Sequence, residues 1–151
     1  MLTNTIEWLK FTARLTASLH CGSYLYMYAV QHPSILALKS PRDAVQRFNQ
    51  IFKPTTRLQI PMKLVSIGSC LLASYLSKHY EKNYLYAAII LATLTPYSHI
   101  LMSPFSDPVL DEGRGCATDE TKVNLIKKWA RLHTGRLVIS LVANFFLQMF
   151  D

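Results

Sequence analysis

Two stretches of this chain carry no Asp, Glu, Lys or Arg for 24 consecutive residues, 15–38 and 83–106. An α-helix needs about 20 apolar residues to cross the roughly 30 Å hydrocarbon core of a bilayer. Each stretch is therefore long enough to span a membrane. A soluble four-helix bundle is the alternative, but its helices should carry a polar face at a period of 3.6 residues. Residues 85–94 (LYAAIILATL) are apolar all round, which favours the membrane.

Two further stretches qualify when one basic residue is allowed, since 58–77 contains only Lys63 and 132–150 only Arg136. Long cationic side chains near a helix end can reach the lipid headgroups. The sequence therefore predicts an all-α protein, a bundle of four transmembrane helices in one membrane domain, 1–151. The transmembrane spans are expected at about 13–34, 58–78, 83–103 and 129–150. A cleaved signal peptide is the alternative for the first span, but 24 residues are long for one.

Basic residues fall unequally on the two sides of such a bundle. The chain has 16 Lys and Arg against 9 Asp and Glu, a net charge of +7. The loops 35–57 and 104–128, extended to Arg131, carry ten of the cations, whereas the termini and the short turn at 78–82 carry four. The positive-inside bias thus places the two long loops in the cytoplasm. The charge indicates contact with anionic headgroups and no nucleic-acid partner. The endoplasmic reticulum or the plasma membrane is the default location.

The long loops are expected to contain structure of their own. Ser40, Pro41 and Asp43 form a helix start, with a Ser cap, Pro at the first position and an acid three residues after the cap. A short amphipathic helix is predicted to follow in the membrane interface between helices 1 and 2 and to end at Pro54. Residues 103–117, with two prolines and two glycines, are expected to be irregular. The last helix should begin near 119, in water, and run to 150.

Polar residues inside a span are costly, so each needs a reason. Their depths place side chains from all four helices in the cytoplasmic half of the membrane. His20, Tyr24 and Tyr28 recur every four residues on the first helix. Pro96 is expected to interrupt the third helix and open a cavity beside these polar residues. The predicted substrate-binding residues are Tyr24, Tyr28, His20, His99, Gln59, Lys63 and Met102. No metal site and no cofactor are predicted.

Trp129, His133 and Arg136 lie at i, i+4 and i+7, on one face of the last helix. An imidazole beside a guanidinium and an indole can move a proton, hold the anion left behind and stack a flat ligand. These three are the predicted catalytic residues. The alternative for each is structural, with Trp129 an interface anchor, Arg136 a snorkelling charge and His133 part of a buried hydrogen bond.

The pattern Trp129-x3-His133-x2-Arg136 resembles the last-helix signature of the anthrone-oxygenase-like family of small four-helix membrane proteins. The resemblance extends to His32-Pro33, Gln59-x-Pro61 and Met102-Ser103-Pro104, and covers most of the chain, from about 15 to 147. It implies, as in some members of that family, a cofactor-independent oxygenase of flat, hydrophobic polyphenols such as anthrones. His133 would then be the base, Arg136 would stabilise the anion and Trp129 would stack on the rings.

Two other functions remain open at this level. The chain is equally a candidate for a non-catalytic membrane protein, a homo-oligomer or a subunit of a membrane complex, whose polar residues fix the helix register. Haem or metal binding by His20, His99 and His133 is a third hypothesis, although no pair of them has the spacing of a ligand motif.

Overall fold

The computed structural model describes residues 2–77, 81–111 and 118–149, and its regular structure over these residues is entirely helical. The prediction of an all-α protein is therefore confirmed. In chain order the elements are α1 (Leu2–Tyr26), π1 (Met27–Gln31), α2 (His32–Leu36), α3 (Pro41–Leu76), α4 (Lys82–Tyr97), π2 (Ser98–Met102), α5 (Ser103–Leu110) and α6 (Asp119–Met149). They join into four long rods. The first rod consists of α1, π1 and α2, the second of α3, the third of α4, π2 and α5, and the fourth of α6. Gly113 and Gly115 lie outside the described residues, as do three of the five residues of the predicted turn at 78–82.

The rods pack with small side chains inside and large apolar side chains outside. α1 and α4 each pack against both α3 and α6. Small residues make up much of the buried contact: Ala13, Ala17, Cys21, Ser66, Cys70, Ala73, Ser74, Ala87, Ala88, Ser140 and Ala143. Large apolar residues are exposed on all four rods: among them Phe11, Leu19, Leu25, Leu64, Leu72, Ile89, Ile100, Leu141 and Phe145. Small residues let helices approach closely, as membrane helices do when lipid covers their outer faces.

The start of α3 is as its capping residues predict, but its length is not. The Ser40 hydroxyl accepts a hydrogen bond from the Asp43 N–H at 3.4 Å, and the helix begins at Pro41. The expected end at Pro54 is wrong, because α3 continues through Pro54 and Pro61 for 36 residues. Phe48 and Phe52 pack against Trp129 of α6 before Pro54, and Gln59 and Ser66 bond to α1 after it. This packing on both sides outweighs the hydrogen bond that the proline removes. The short interfacial helix is thus the first third of α3 and no separate element.

Both π turns come two residues before a proline. In π1 the His32 N–H donates to the Met27 carbonyl, and Pro33 follows. In π2 the Ser103 N–H donates to the Ser98 carbonyl, and Pro104 follows. A proline ring crowds the carbonyl four residues before it, and a wider i→i−5 turn is one way for the backbone to relieve this. Pro96 lies inside α4, so the expected interruption of the third span at this residue is wrong. Residues 103–110, expected to be irregular, form α5.

Within the described residues, one stretch has the length and hydropathy to cross a bilayer, Lys82–Leu110, which joins α4, π2 and α5. Only 28% of its most apolar window is buried inside the protein, so most of that surface faces outward. A buried core helix of a soluble protein would have its apolar surface covered. This stretch corresponds to the third predicted span, although it continues seven residues beyond its expected end.

Candidate functional site

The three residues predicted as catalytic lie on α6, where helical spacing places them on one face. The His133 side chain is completely buried and Trp129 is 3% exposed, whereas Arg136 is half-buried. Trp129 packs against Phe48 and Phe52 of α3, with ring centroids 5.1 and 5.8 Å apart. Its predicted alternative, an interface anchor, is therefore wrong, because the indole lies in the interior.

His133 lies at the centre of a group of five touching rings, which we call the ring cluster: His20, Tyr24, His32, Trp129 and His133. The centroid of the His133 ring is 5.0 Å from Tyr24, 4.8 Å from His32 and 5.3 Å from Trp129. His20 continues the series through Tyr24 at 4.5 Å, and His32 also meets Trp129 at 5.0 Å. The ring cluster joins α1, α2 and α6 in the middle of the protein.

Arg136 and Ser140 extend the ring cluster with polar contacts. Arg136 Nη2 donates a hydrogen bond to the Tyr24 hydroxyl at 2.6 Å, and its guanidinium carbon is 4.5 Å from the centre of the Tyr24 ring. The Ser140 hydroxyl is 3.4 Å from His20 Nδ1. The guanidinium thus places a permanent positive charge beside the ring cluster, where it can stabilise an anion.

Several buried nitrogens of the ring cluster have no hydrogen-bond partner in the part of the chain that the structure describes. They are both ring nitrogens of His133, Nε2 of His20 and Nε2 of His32. Leaving a buried polar atom unpaired costs about 1–3 kcal/mol, so such atoms are uncommon without a role. Each unpaired nitrogen of a neutral imidazole is either an N–H donor or a lone-pair acceptor, so His133 has one of each without a partner in the described residues.

An open groove of about 670 Å³ lies beside the ring cluster, between α6 and the end of the first rod. Its lining consists of Tyr28, Ala29, His32, Pro33, Leu36, Lys127, Ala130, Arg131 and Thr134. His32 belongs both to this lining and to the ring cluster. On the inner side of His32 and Trp129 the space is only about 10 Å³, at most enough for one water molecule. A flat organic molecule therefore fits the groove and not the interior.

The predicted substrate-binding residues do not form one group. His20 and Tyr24 belong to the ring cluster, and Tyr28 is exposed on the wall of the groove. Gln59 is buried and donates to Ser23 Oγ at 3.1 Å and Met27 Sδ at 3.2 Å, which ties α3 to the first rod. Met102 is buried among apolar residues that include Phe48, Val109 and Trp129.

The predicted meeting of polar side chains from all four helices does not include His99, which lies on the exposed side of the third rod. His99 is exposed, and Lys63 is half-buried with its ammonium donating to Thr95 Oγ1 at 2.8 Å. His20, His99 and His133 therefore do not form a ligand set for haem or a metal. No group of three or more His, Cys, Asp and Glu suited to a metal ion occurs among the described residues. Cys116 falls outside them.

His32 is the ring-cluster residue that sequence reasoning did not place in the site. An uninterrupted α-helix carrying His20 and Tyr24 on one face would continue with residues 27, 28 and 31. The extra residue in π1 shifts this register, so that Tyr28 turns outward and His32 takes the inner position. The signal present in the sequence was Pro33, whose ring promotes such a turn.

The comparisons with known proteins gave a match that covers the part of α6 that carries the three predicted catalytic residues. A family model described as anthrone oxygenase matches residues 48–146, about two thirds of the chain, and includes Trp129, His133 and Arg136. The comparisons with curated proteins and with solved structures found no match. Because the model matches more than half of its residues, the chain belongs to the anthrone oxygenase family.

Proposed function

We propose that this protein is a multi-pass membrane oxygenase acting on flat, electron-rich hydrophobic substrates of the anthrone type, without a cofactor. The observation that carries the proposal is the position of His32, which lines the open groove and touches the buried ring of His133. A substrate in the groove would have a titratable imidazole against it and a second one directly behind.

The distribution of side chains supports the membrane part of the proposal. Large apolar residues are exposed on all four rods, and small residues fill much of the contacts between them. In water, so much exposed apolar surface would promote aggregation. Lipid covering these faces accounts for both observations. The ten basic residues in the segments 35–57 and 104–131 support a cytoplasmic location for these segments in our proposal.

The groove has the chemistry expected for a polyphenol or its anion. Ala29, Pro33, Leu36 and Ala130 provide apolar surface for a flat ring system. Lys127 and Arg131 provide positive charge in the same lining, where an enolate or phenolate oxygen can be held. This composition resembles other small-molecule sites, which combine apolar walls with a few polar groups.

The chemistry needs a base and an electron-rich substrate. In our proposal His32 removes a proton from the acidic CH₂ of the substrate, and the carbanion transfers one electron to O₂. The resulting radical and superoxide combine and take up a proton to give a hydroperoxide. Loss of the second carbon-bound proton then cleaves the O–O bond, leaving a ketone and water. The CH₂ supplies all four electrons that O₂ accepts, so the equation balances as CH₂ + O₂ → C=O + H₂O.

His133, Arg136 and Trp129 have supporting roles in this scheme. The sequence suggests His133 as the base, but its side chain has no exposed surface. We therefore propose His133 as a positioning residue, whose ring packs edge-to-face against His32 and fixes the orientation of that base. Arg136, held by Tyr24, would stabilise negative charge in the site, and Trp129 would fix the orientation of both imidazoles.

Oxygen consumption with an anthrone, measured above the uncatalysed oxidation, tests the proposal. We expect His32→Ala and His133→Ala each to abolish turnover, and His99→Ala, the matched exposed histidine, to leave it within about twofold. General acid–base catalysis typically contributes about 10²–10⁴-fold, so the losses should be large. Unchanged turnover in both His32→Ala and His133→Ala would refute the catalytic assignment.

A second experiment tests the membrane part separately. The protein should remain in the membrane pellet after extraction with alkaline carbonate. Single cysteines placed at positions 39 and 122, on the two long loops, should react with an impermeant thiol reagent from the same side. Labelling of the two positions from opposite sides would contradict the four-span topology.

The complete burial of His133 and His20 favours a second candidate, a non-catalytic membrane subunit whose ring cluster only fixes the packing. Lys63, Thr95 and His99 add polar groups to the outer surface of α3 and the third rod, where another copy or another subunit would cover them. Well-folded protein with no turnover on any anthrone, together with a defined oligomer in detergent, would favour this candidate over the enzyme.

A further inference from the structure

A second groove, about 760 Å³ in volume, lies between the first third of α3 and the start of α6, separate from the groove at His32. Its lining includes Arg42, Gln46, Asn49 and Lys53 of α3, with Asp119 and Lys122 of α6. The four α3 residues fall at i, i+4, i+7 and i+11, which places them on one face of the helix.

The charges of this groove are unbalanced. Arg42, Lys53 and Lys122 face a single acid, Asp119, so the lining carries a net charge of +2. None of these cations forms an ion pair within the described part of the chain. Gln46 and Asn49 add side-chain amides to the same lining, and the NH2 groups of these amides can donate hydrogen bonds to an anion. Cations and amides arranged around a concave surface are suited to a phosphate.

The position of the groove along α3 points to a lipid as the source of the phosphate. Leu58, the first residue of the exposed apolar surface of α3, follows Lys53 by five residues, a rise of about 7.5 Å. In the proposed topology this segment lies on the cytoplasmic side, where anionic lipids are concentrated. A phosphate bound in the groove could therefore belong to a lipid whose acyl chains lie against the apolar part of α3.

We propose that the groove between α3 and α6 binds the phosphate of an anionic phospholipid headgroup. This inference rests on the membrane part of the proposed function and not on its chemistry. The lipid would tie the start of α6 to α3 at the membrane surface. Lipid binding and oxygen consumption are separate measurements, so failure of one proposal can be distinguished from failure of the other.

The test uses the full chain in a non-ionic detergent and follows its thermal unfolding during titration. The probes are dioctanoyl phosphatidic acid, dioctanoyl phosphatidylcholine and inorganic phosphate. We expect half-saturation by phosphatidic acid at a concentration at least about tenfold below that of the other two, since each basic residue near an anionic lipid contributes about fivefold. Equal half-saturation by phosphatidylcholine, or by inorganic phosphate, would overturn the assignment to an anionic lipid.

Variants then locate the site. R42Q/K53Q/K122Q should raise half-saturation by phosphatidic acid at least tenfold. The control R47Q/R57Q/K128Q removes the same charge from the same two helices outside the groove and should change it less than about threefold. R42K/K53R/K122R keeps the charge and should bind as the wild type does. If the first variant does not fold, K53Q alone should raise half-saturation about fivefold. Equal losses in the first variant and its control would overturn the proposal.

Discussion

Arg136 donates a hydrogen bond to the hydroxyl of Tyr24 at 2.6 Å across the interface of α6 and α1, and its guanidinium lies over the same ring. One side chain thus supplies both a charged hydrogen bond and a cation–π contact to a fully buried tyrosine. Tyr24 also touches His20 and His133. The contact between Arg136 and Tyr24 therefore holds the α1 side of the ring cluster against α6.

Replacing Tyr24 by Phe should destabilise the protein by about 1–3 kcal/mol, since a charged donor loses its acceptor while the ring remains. Thermal or denaturant unfolding in detergent measures this change. Tyr26→Phe is the matched control, because Tyr26 is 57% exposed on the same helix and should have an effect near zero. Equal effects of the two substitutions would mean that the hydrogen bond contributes nothing.

Gly135→Ala should also destabilise the protein, because a Cβ at this position would overlap the hydroxyl and ring of Tyr97. The Tyr97 hydroxyl donates to the Leu132 carbonyl at 2.8 Å, so moving the ring away breaks that bond as well. We expect a loss of about 1–3 kcal/mol, typical of overpacking.

Gly68→Ala serves as the control for Gly135→Ala, since no atom lies within 4 Å of its Cβ position. Alanine is the better helix former, so this variant should be neutral or more stable by up to about 1 kcal/mol. A second test combines Gly135→Ala with Tyr97→Phe, which removes the overlapping oxygen and should recover part of the loss. Destabilisation by Gly68→Ala as large as that by Gly135→Ala would contradict the steric explanation.

The ion pair between Lys10 of α1 and Glu81, the residue before α4, should contribute a small, pH-dependent stabilisation. Lys10 Nζ lies 2.7 Å from Glu81 Oε1 and 3.4 Å from Glu7 Oε1. The hydrogen bond with Glu81 raises the pKa of Lys10 above its ordinary value of 10.5, partial burial opposes this, and the charges of both carboxylates add to it. The contribution of Lys10 is therefore complete below about pH 10.5 and is lost as the pH rises through the higher folded pKa.

Comparison of Glu81→Gln with Glu7→Gln tests this pair. Glu81→Gln should lower the free energy of unfolding by up to about 1 kcal/mol at neutral pH, because a partly exposed pair is screened by solvent. Glu7 is 66% exposed, so Glu7→Gln should have almost no effect. The difference between wild type and Glu81→Gln should shrink in high salt and above pH 10.5. A difference unchanged under both conditions would exclude an electrostatic origin.

Trp129→Ala should cost about 3–5 kcal/mol, the range for removing a buried aromatic side chain. The indole touches four rings, those of His32, Phe48, Phe52 and His133. Trp8, which is 68% exposed, is the natural control, and Trp8→Ala should cost less than about 1 kcal/mol. Similar unfolding midpoints for the two variants would restore the anchor interpretation of Trp129.

The sequence predicted those features that depend on local pattern. The charge-free stretches indicated where long helices lie, and Ser40 with Pro41 indicated where α3 begins. The spacing of Trp129, His133 and Arg136 indicated one helix face, and these residues do lie together near Tyr24 and His20. Such features follow from the geometry of a regular helix, so no tertiary information was needed.

Features that depend on interruptions of the helix were not predicted. A proline weakens a helix, but whether the helix ends there depends on the packing on either side. At Pro54 the helix is held by α6 before the proline and by α1 after it. The prediction that His99 lies in the site rested only on its expected depth in the membrane. Depth does not determine the helix face on which a residue lies. The exchange of Tyr28 for His32 on the inner face follows from one widened turn, which a regular period does not contain.

Because of the widened turn before Pro33, the number of residues between Tyr24 and His32 decides which side chain reaches the groove, more than the identity of those residues does. Inserting or deleting a single amino acid between Tyr24 and His32 would put a different side chain on the wall of the groove, even though the segment kept nearly the same composition. An alignment that slips by one position there would pair the catalytic candidate with its neighbour and still look convincing.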